Sequence, residues 1–175
     1  MRRQLRHLIP FSLSLAILAS VSVLPARPAA AAGDTLLTFT ALLNGPQQSP
    51  PVDSPSTGVA LVLYDKTASI ICWRISYTPL AATEIVAHFH GPAAPGVNAP
   101  VLINISPSPS PLGSPKHGCA PITKDDAKSL SKGLLYINVH STVAPNGEIR
   151  GQVLPTNVKY KVDTTPASPS GAFVN

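Results

Sequence analysis

The chain has 175 residues, a formal net charge of +5 and a hydrophobic share of 44%. Four of the arginines behind that charge (Arg2, Arg3, Arg6 and Arg27) fall in the first 32 residues, so the remaining 143 carry only +1. That balance excludes the basic, aromatic-interleaved surface of a nucleic-acid binder, while 143 residues suffice for one domain with a real core.

Residues 1–32 read as a secretory signal peptide. A basic start is followed by an apolar run from Leu8 to Leu24 and by the small-residue stretch Ala29-Ala30-Ala31-Ala32. Cleavage is expected after Ala31 or Ala32, leaving a domain over 33–155 and a flexible tail over 156–175. The apolar run is at the short end for a bilayer span. No stable membrane span is expected after cleavage, and the protein is expected in the periplasm or outside the cell.

Seven strands are predicted in the mature chain. Thr35–Leu43 is β-rich and stops at Asn44-Gly45-Pro46; the proline-rich segment Gln47–Ser56 is an irregular connection. Thr57–Tyr64 and Ala68–Thr78 are the second and third strands. Glu84–His90 is the fourth and ends abruptly at Gly91-Pro92. Pro100–Ile105 is the fifth, and Ser106–Pro121, with its repeated Ser-Pro, is expected to be an exposed loop. Thr123 N-caps a short helical turn running to Ser131, with Asp125 and Asp126 in its first turn and Gly133 as its stop. Leu134–Ser141 and Glu148–Leu154 form the last two strands, with Asn146-Gly147 as the expected hairpin turn. Beyond Pro155, Val158–Val162 is either an edge strand or part of a disordered tail.

Short strands separated by turn residues, with almost no helix, indicate an all-β, antiparallel Greek-key-type β-sandwich of seven or eight strands with one short helical turn. Successive side chains of a strand point to opposite faces. Ile71, Trp73, Ile75, Ala87, Phe89, Leu135, Ile137, Val139, Ile149 and Val153 make one apolar set, the expected core. Arg74, Ser76, His88, His90, Asn138, His140, Glu148, Arg150 and Gln152 make the polar set, expected on the solvated outside. Cys72 and Cys119 are an even pair in an exported chain and suggest a disulfide; free thiols or a metal-ligand thiol are the alternatives.

Two readings of the polar set stand side by side. In one, His88, His90 and His140 belong to a solvated face on which Glu148 pairs with Arg150, Arg74 or a histidine. In the other, the His-x-His strand and a third imidazole from a neighbouring strand supply three nitrogens to copper or zinc, with Glu148, Arg150, Asn138 and Arg74 as polar support. His117 is expected to be an exposed loop histidine, or a fourth ligand if the disulfide draws its loop inward. Nucleophilic catalysis is not supported, since no Gly-x-Ser-x-Gly elbow and no phosphate-binding glycine loop are present.

Three stretches carry a family resemblance. They are Phe39-Thr40-Ala41-Leu42-Leu43-Asn44-Gly45 with Pro50-Pro51, then His88-Phe89-His90-Gly91-Pro92-Ala93, then Tyr136-Ile137-Asn138-Val139-His140-Ser141 with Gly147-Glu148-Ile149-Arg150-Gly151-Gln152. In these the chain resembles the chordin (CHRD) domain from about Leu37 to Val153. That resemblance implies an extracellular β-sandwich module. More distantly, the order of His88, His90 and Val139-His140 is similar to the copper ligands of copper-zinc superoxide dismutase, although the histidine-rich zinc loop of that family is missing. The leading expectation is a secreted, non-catalytic binding or structural module whose partner is a protein or envelope ligand. The alternative is a copper- or zinc-binding protein using His88, His90 and His140, with dismutase-like chemistry as its extreme form.

Overall fold

A computed structural model describes residues 36–156. The expected signal peptide, the expected tail beyond Thr156 and the alternatives offered for Val158–Val162 therefore lie outside the described residues. Eight strands form one sheet: β1 (Leu36–Asn44), β2 (Thr57–Asp65), β3 (Ile70–Tyr77), β4 (Glu84–His90), β5 (Val101–Ser106), β6 (Lys116–Pro121), β7 (Leu135–Ser141) and β8 (Ala144–Pro155). A 3-10 turn follows β1 at Gly45–Gln47, and the helix α1 (Lys124–Ser131) precedes β7. The strand order is β5-β4-β7-β8-β1-β2-β3-β6, and every neighbouring pair is antiparallel. The twisted sheet curls until its two edge strands, β5 and β6, approach each other, giving a nearly closed, sandwich-like barrel.

Strand parity decides what fills it. All ten residues of the predicted apolar set are buried, joined by Phe39, Leu43, Val62 and Ile105. Trp73 and Phe89 meet edge to face at the centre, 5.4 Å between ring centroids. The helix is capped as expected: Thr123 Oγ1 accepts from the Asp126 N–H at 3.1 Å, and Ala127 and Leu130 are its buried residues.

Two stretches depart from expectation. The second half of the Ser-Pro segment is a strand, β6, which pairs along β3 with Cys72 directly opposite Cys119. These two cysteines form a disulfide. Its only pattern in the sequence was the cysteine itself, since Lys116-His117-Gly118 carries no apolar alternation. The β7–β8 hairpin turns at Thr142-Val143, with Ser141 opposite Ala144, and Asn146-Gly147 sits in a bulge of β8 instead. Gly147 adopts φ +119°, and a Cβ there would run into the side chains of Asn138 and Gln48.

The seam between the two sheet edges has no β5–β6 ladder. A buried ion pair bridges it. Lys116 of β6 places its Nζ 2.7 Å from Glu84 Oε1 of β4, with side-chain exposures of 0% and 4%. Ser106 of β5 donates to Glu84 Oε1 at 2.6 Å, Tyr77 of β3 and the Gly113 N–H donate to Oε2, and Lys116 also donates to the Pro111 carbonyl. Burial pushes the Glu84 carboxyl up, but these donors outweigh it and hold it below the usual carboxylate range. Removing one member leaves an uncompensated buried charge. Lys116→Met is expected to lower unfolding free energy by about 3–5 kcal/mol in urea titrations. Glu84→Gln/Lys116→Met together are expected to cost less than Lys116→Met alone.

Candidate metal centre

The polar set keeps its predicted parity but not its predicted exposure. His90, Asn138, His140, Glu148, Arg150 and Gln152 are all buried, and His88 is half-buried. The expectation of a solvated outer face is therefore corrected for β4, β7 and β8. Two irregular segments lie over it. Gln48 donates to Asn138 at 2.6 Å, and Ser54 and Ser56 donate to Glu148, which brings down the proline-rich segment after β1. Arg150 donates to Val97 O and Asn98 Oδ1, and Gln152 donates to Ala93 O, which brings down the loop after β4. Gln152 also donates to Gly133 O. The buried carbonyls of Ala93, Val97 and Gly133 need partners, and Arg150 and Gln152 supply them; the proline-rich segment is held through its own side chains.

Register sets the histidine triangle. In β4, His88 and His90 share a face; in β7, His140 lies opposite Val86, Asn138 opposite His88 and Tyr136 opposite His90. His140 is thus diagonal to His88. Ring centroids are 5.4 Å apart for His88–His90, 5.3 Å for His88–His140 and 6.2 Å for His90–His140. One ring nitrogen from each lies within 4.8 Å of the others. Three nitrogens bound tetrahedrally to zinc at about 2.0–2.1 Å would be roughly 3.4 Å apart. Side-chain rotation, rather than backbone movement, is the scale of adjustment needed.

The remaining ring atoms fix how the imidazoles face. His90 Nδ1 is 2.9 Å from Ala99 O, and His140 Nδ1 is 3.0 Å from Pro145 O. A carbonyl only accepts, so the proton sits on Nδ1 in both rings and each Nε2 keeps its lone pair. Those two Nε2 atoms, and Nδ1 of His88, are buried without a hydrogen-bond partner. A backbone carbonyl holding the far nitrogen is the usual way a ligating histidine is oriented. Burial drives all three imidazoles toward the neutral form. His88 is pulled down to about 4 by burial and by the nearby His140 and His90. His90 and His140 are also lowered, chiefly by burial, against the raising effect of their carbonyl partners. Neutral rings with a free nitrogen lone pair are the form that coordinates a metal.

The supporting residues divide. Arg150 lies beside the centre, with its Cζ 3.5 Å from the Tyr136 ring centroid; Tyr136 in turn stacks on His90 at 4.9 Å and 3°. Asn138, opposite His88, binds Gln48 and holds the lid rather than an imidazole. Glu148 does not serve the histidines as expected. Its Oε1 accepts from Ser54, Ser56 and the Ala81 N–H and ties two loops to β8. Arg74 is exposed on β3, several strands away across the sheet from β4, and His117 is exposed opposite it. Neither joins the cluster. Tyr136 and the Glu84 network were missed. Tyr136 could have been found, because it shares the parity of Asn138 and His140; Lys116 left no periodic signal.

Comparison with known proteins agrees with the fold. The family model described as CHRD domain matches residues 39–153, so the chain belongs to that family. No curated protein and no solved structure matches, and the distant likeness to copper-zinc superoxide dismutase gains no support from these comparisons.

The depressed imidazoles make the metal-free fold acid-sensitive. Their folded values lie below the ordinary 6.5, so the stability they contribute is present above pH 6.5 and is lost as pH falls toward about 4. Melting temperature of chelator-treated protein is expected to drop through that window. In His88→Asn/His140→Asn the drop should flatten.

Proposed function

We propose that this CHRD-domain protein is an exported, non-catalytic binding module whose ligand is a single copper or zinc ion held by His88, His90 and His140. One observation carries the reading: three buried imidazole nitrogens without partners, two of them on rings whose other nitrogen is held by a backbone carbonyl. A buried polar atom left unpaired is costly, and three of them in one place invite a shared partner. Imidazole nitrogen suits copper and zinc, and the cluster contains no carboxylate or thiolate.

The chain's own residues do the holding. Ala99 O and Pro145 O keep His90 and His140 in the tautomer that leaves Nε2 free. Tyr136 covers one face of His90. The two lid segments limit water, which keeps the rings neutral. When bound, the ion would supply a positive centre with a position open to an outside ligand.

Export is the second part of the proposal. The Cys72–Cys119 disulfide suits an oxidising compartment, and no helix among the described residues is long and apolar enough to cross a membrane. Removal of residues 1–31 or 1–32 would complete it, giving an N-terminus at Ala32 or Gly33 by mass spectrometry of the exported protein.

Protein loaded with Cu(II) or Zn(II) and dialysed is expected to retain one ion per chain. His88→Ala/His90→Ala should retain none. The ion should also raise the melting temperature in proportion to the logarithm of its free concentration, because it binds only the folded state. Wild-type protein that keeps no metal after dialysis would leave a metal-free module for a protein or envelope ligand as the function.

A further inference from the structure

Building on the metal reading, the geometry points to Arg150 as the residue that sets the charge preference of the three-histidine centre, favouring monovalent copper over divalent copper or zinc. β7 lies between β4 and β8, so Tyr136 has His90 on one side and Arg150 on the other. The guanidinium is 1% exposed and sits one aromatic ring away from a ligand. A guanidinium stays charged at any working pH.

The charges around the centre do not cancel this one. The three ligands are neutral. Glu84, which acts electrostatically on His140, carries Lys116 at 2.7 Å. Glu148 keeps its own negative charge, since its donors Ser54, Ser56 and the Ala81 N–H are neutral, but it is not among the charges that act on the three histidines, whereas Arg150 acts on His90. Arg150 itself donates only to Val97 O at 2.8 Å and Asn98 Oδ1 at 3.1 Å, which are neutral acceptors. Its positive charge therefore penalises each added charge on a bound ion. For a partly buried pair at an effective dielectric near 20, one unit of charge about 8–10 Å away changes an affinity by roughly ten- to thirtyfold.

The same residue also positions His90. Its two acceptors immediately precede Ala99, whose carbonyl takes the His90 Nδ1 proton and whose N–H donates to the Tyr136 hydroxyl at 3.1 Å. Positioning and charge separate in the variants. Arg150→Lys keeps the charge and loses the fork; Arg150→Gln loses the charge and keeps a donor.

The test compares Cu(I), Cu(II) and Zn(II) affinities of the mature protein by competition with chromogenic chelators, Cu(I) being kept reduced by ascorbate under nitrogen. Wild type is expected to hold Cu(I) most tightly. Arg150→Gln should move the Cu(II):Cu(I) affinity ratio about tenfold toward Cu(II), equivalent to a fall of about 59 mV in midpoint potential for one electron. Arg150→Lys should keep most of the wild-type ratio. An unchanged ratio in a folded Arg150→Gln protein overturns the inference, and so does a wild type that prefers Cu(II) or Zn(II). If Arg150→Gln does not fold by circular dichroism, the wild-type order of affinities decides alone. A wild type that retains no ion at all overturns the proposed function too, whereas an ion held with the reverse preference overturns only the role of Arg150.

Discussion

The ion pair between Glu84 and Lys116 closes what backbone hydrogen bonds leave open. A sheet that curls through eight strands ends with two unpaired edges. Here β5 and β6 come together without a ladder, and a carboxylate at the start of β4 gathers donors from β3, β5, β6 and the loop between the last two. Every lone pair it uses is met by a donor, which is the condition under which a buried charge is tolerated. The position of β4 follows from this closure. That strand begins at Glu84 and ends at His90, so the seam and the histidine centre lie at opposite ends of one strand.

The second constraint is the demand of buried backbone for partners. Two irregular segments, one rich in proline and one in glycine and proline, cannot satisfy their own carbonyls and N–H groups with regular structure. They settle on the outer face of β4, β7 and β8, where Arg150 and Gln152 donate to the Val97 and Ala93 carbonyls of the second segment and Asn138 and Glu148 accept from the Gln48 and Ser54 side chains of the first. Covering the face has an electrostatic consequence. Imidazoles that would titrate near pH 6.5 in water are driven toward the neutral form. The polar residues around them thus have two tasks. Most hold the lids; a few, through the lids, hold the histidines.

The proposed function rests on this arrangement rather than on family membership. The CHRD match establishes what kind of domain this is. It is the three unpartnered ring nitrogens that give the domain a chemical identity, and it is the layered order of His90, Tyr136 and Arg150 that gives the centre an electrostatic character. A histidine triad open to a nearby carboxylate would suit divalent ions. One backed by a buried guanidinium is a different environment built from the same three ligands.

Much of this was legible in the residues. Two-residue periodicity determines which side chains share a face, so the ten core residues, the His-x-His strand and the shared face of His140 could be read from the sequence alone. The cysteine pair and the Thr123 cap were legible for the same reason, since each depends on local chemistry or a count. Tertiary structure decided the rest. Whether the polar face met water depended on where two patternless loops came down. Whether Glu148 and Arg74 served the histidines depended on strand order, which placed Arg74 across the sheet and turned Glu148 toward the proline-rich segment. Lys116 found Glu84 across a gap in the sheet, 32 residues along the chain. Periodicity is a property of neighbours in sequence, whereas burial and pairing are properties of neighbours in space.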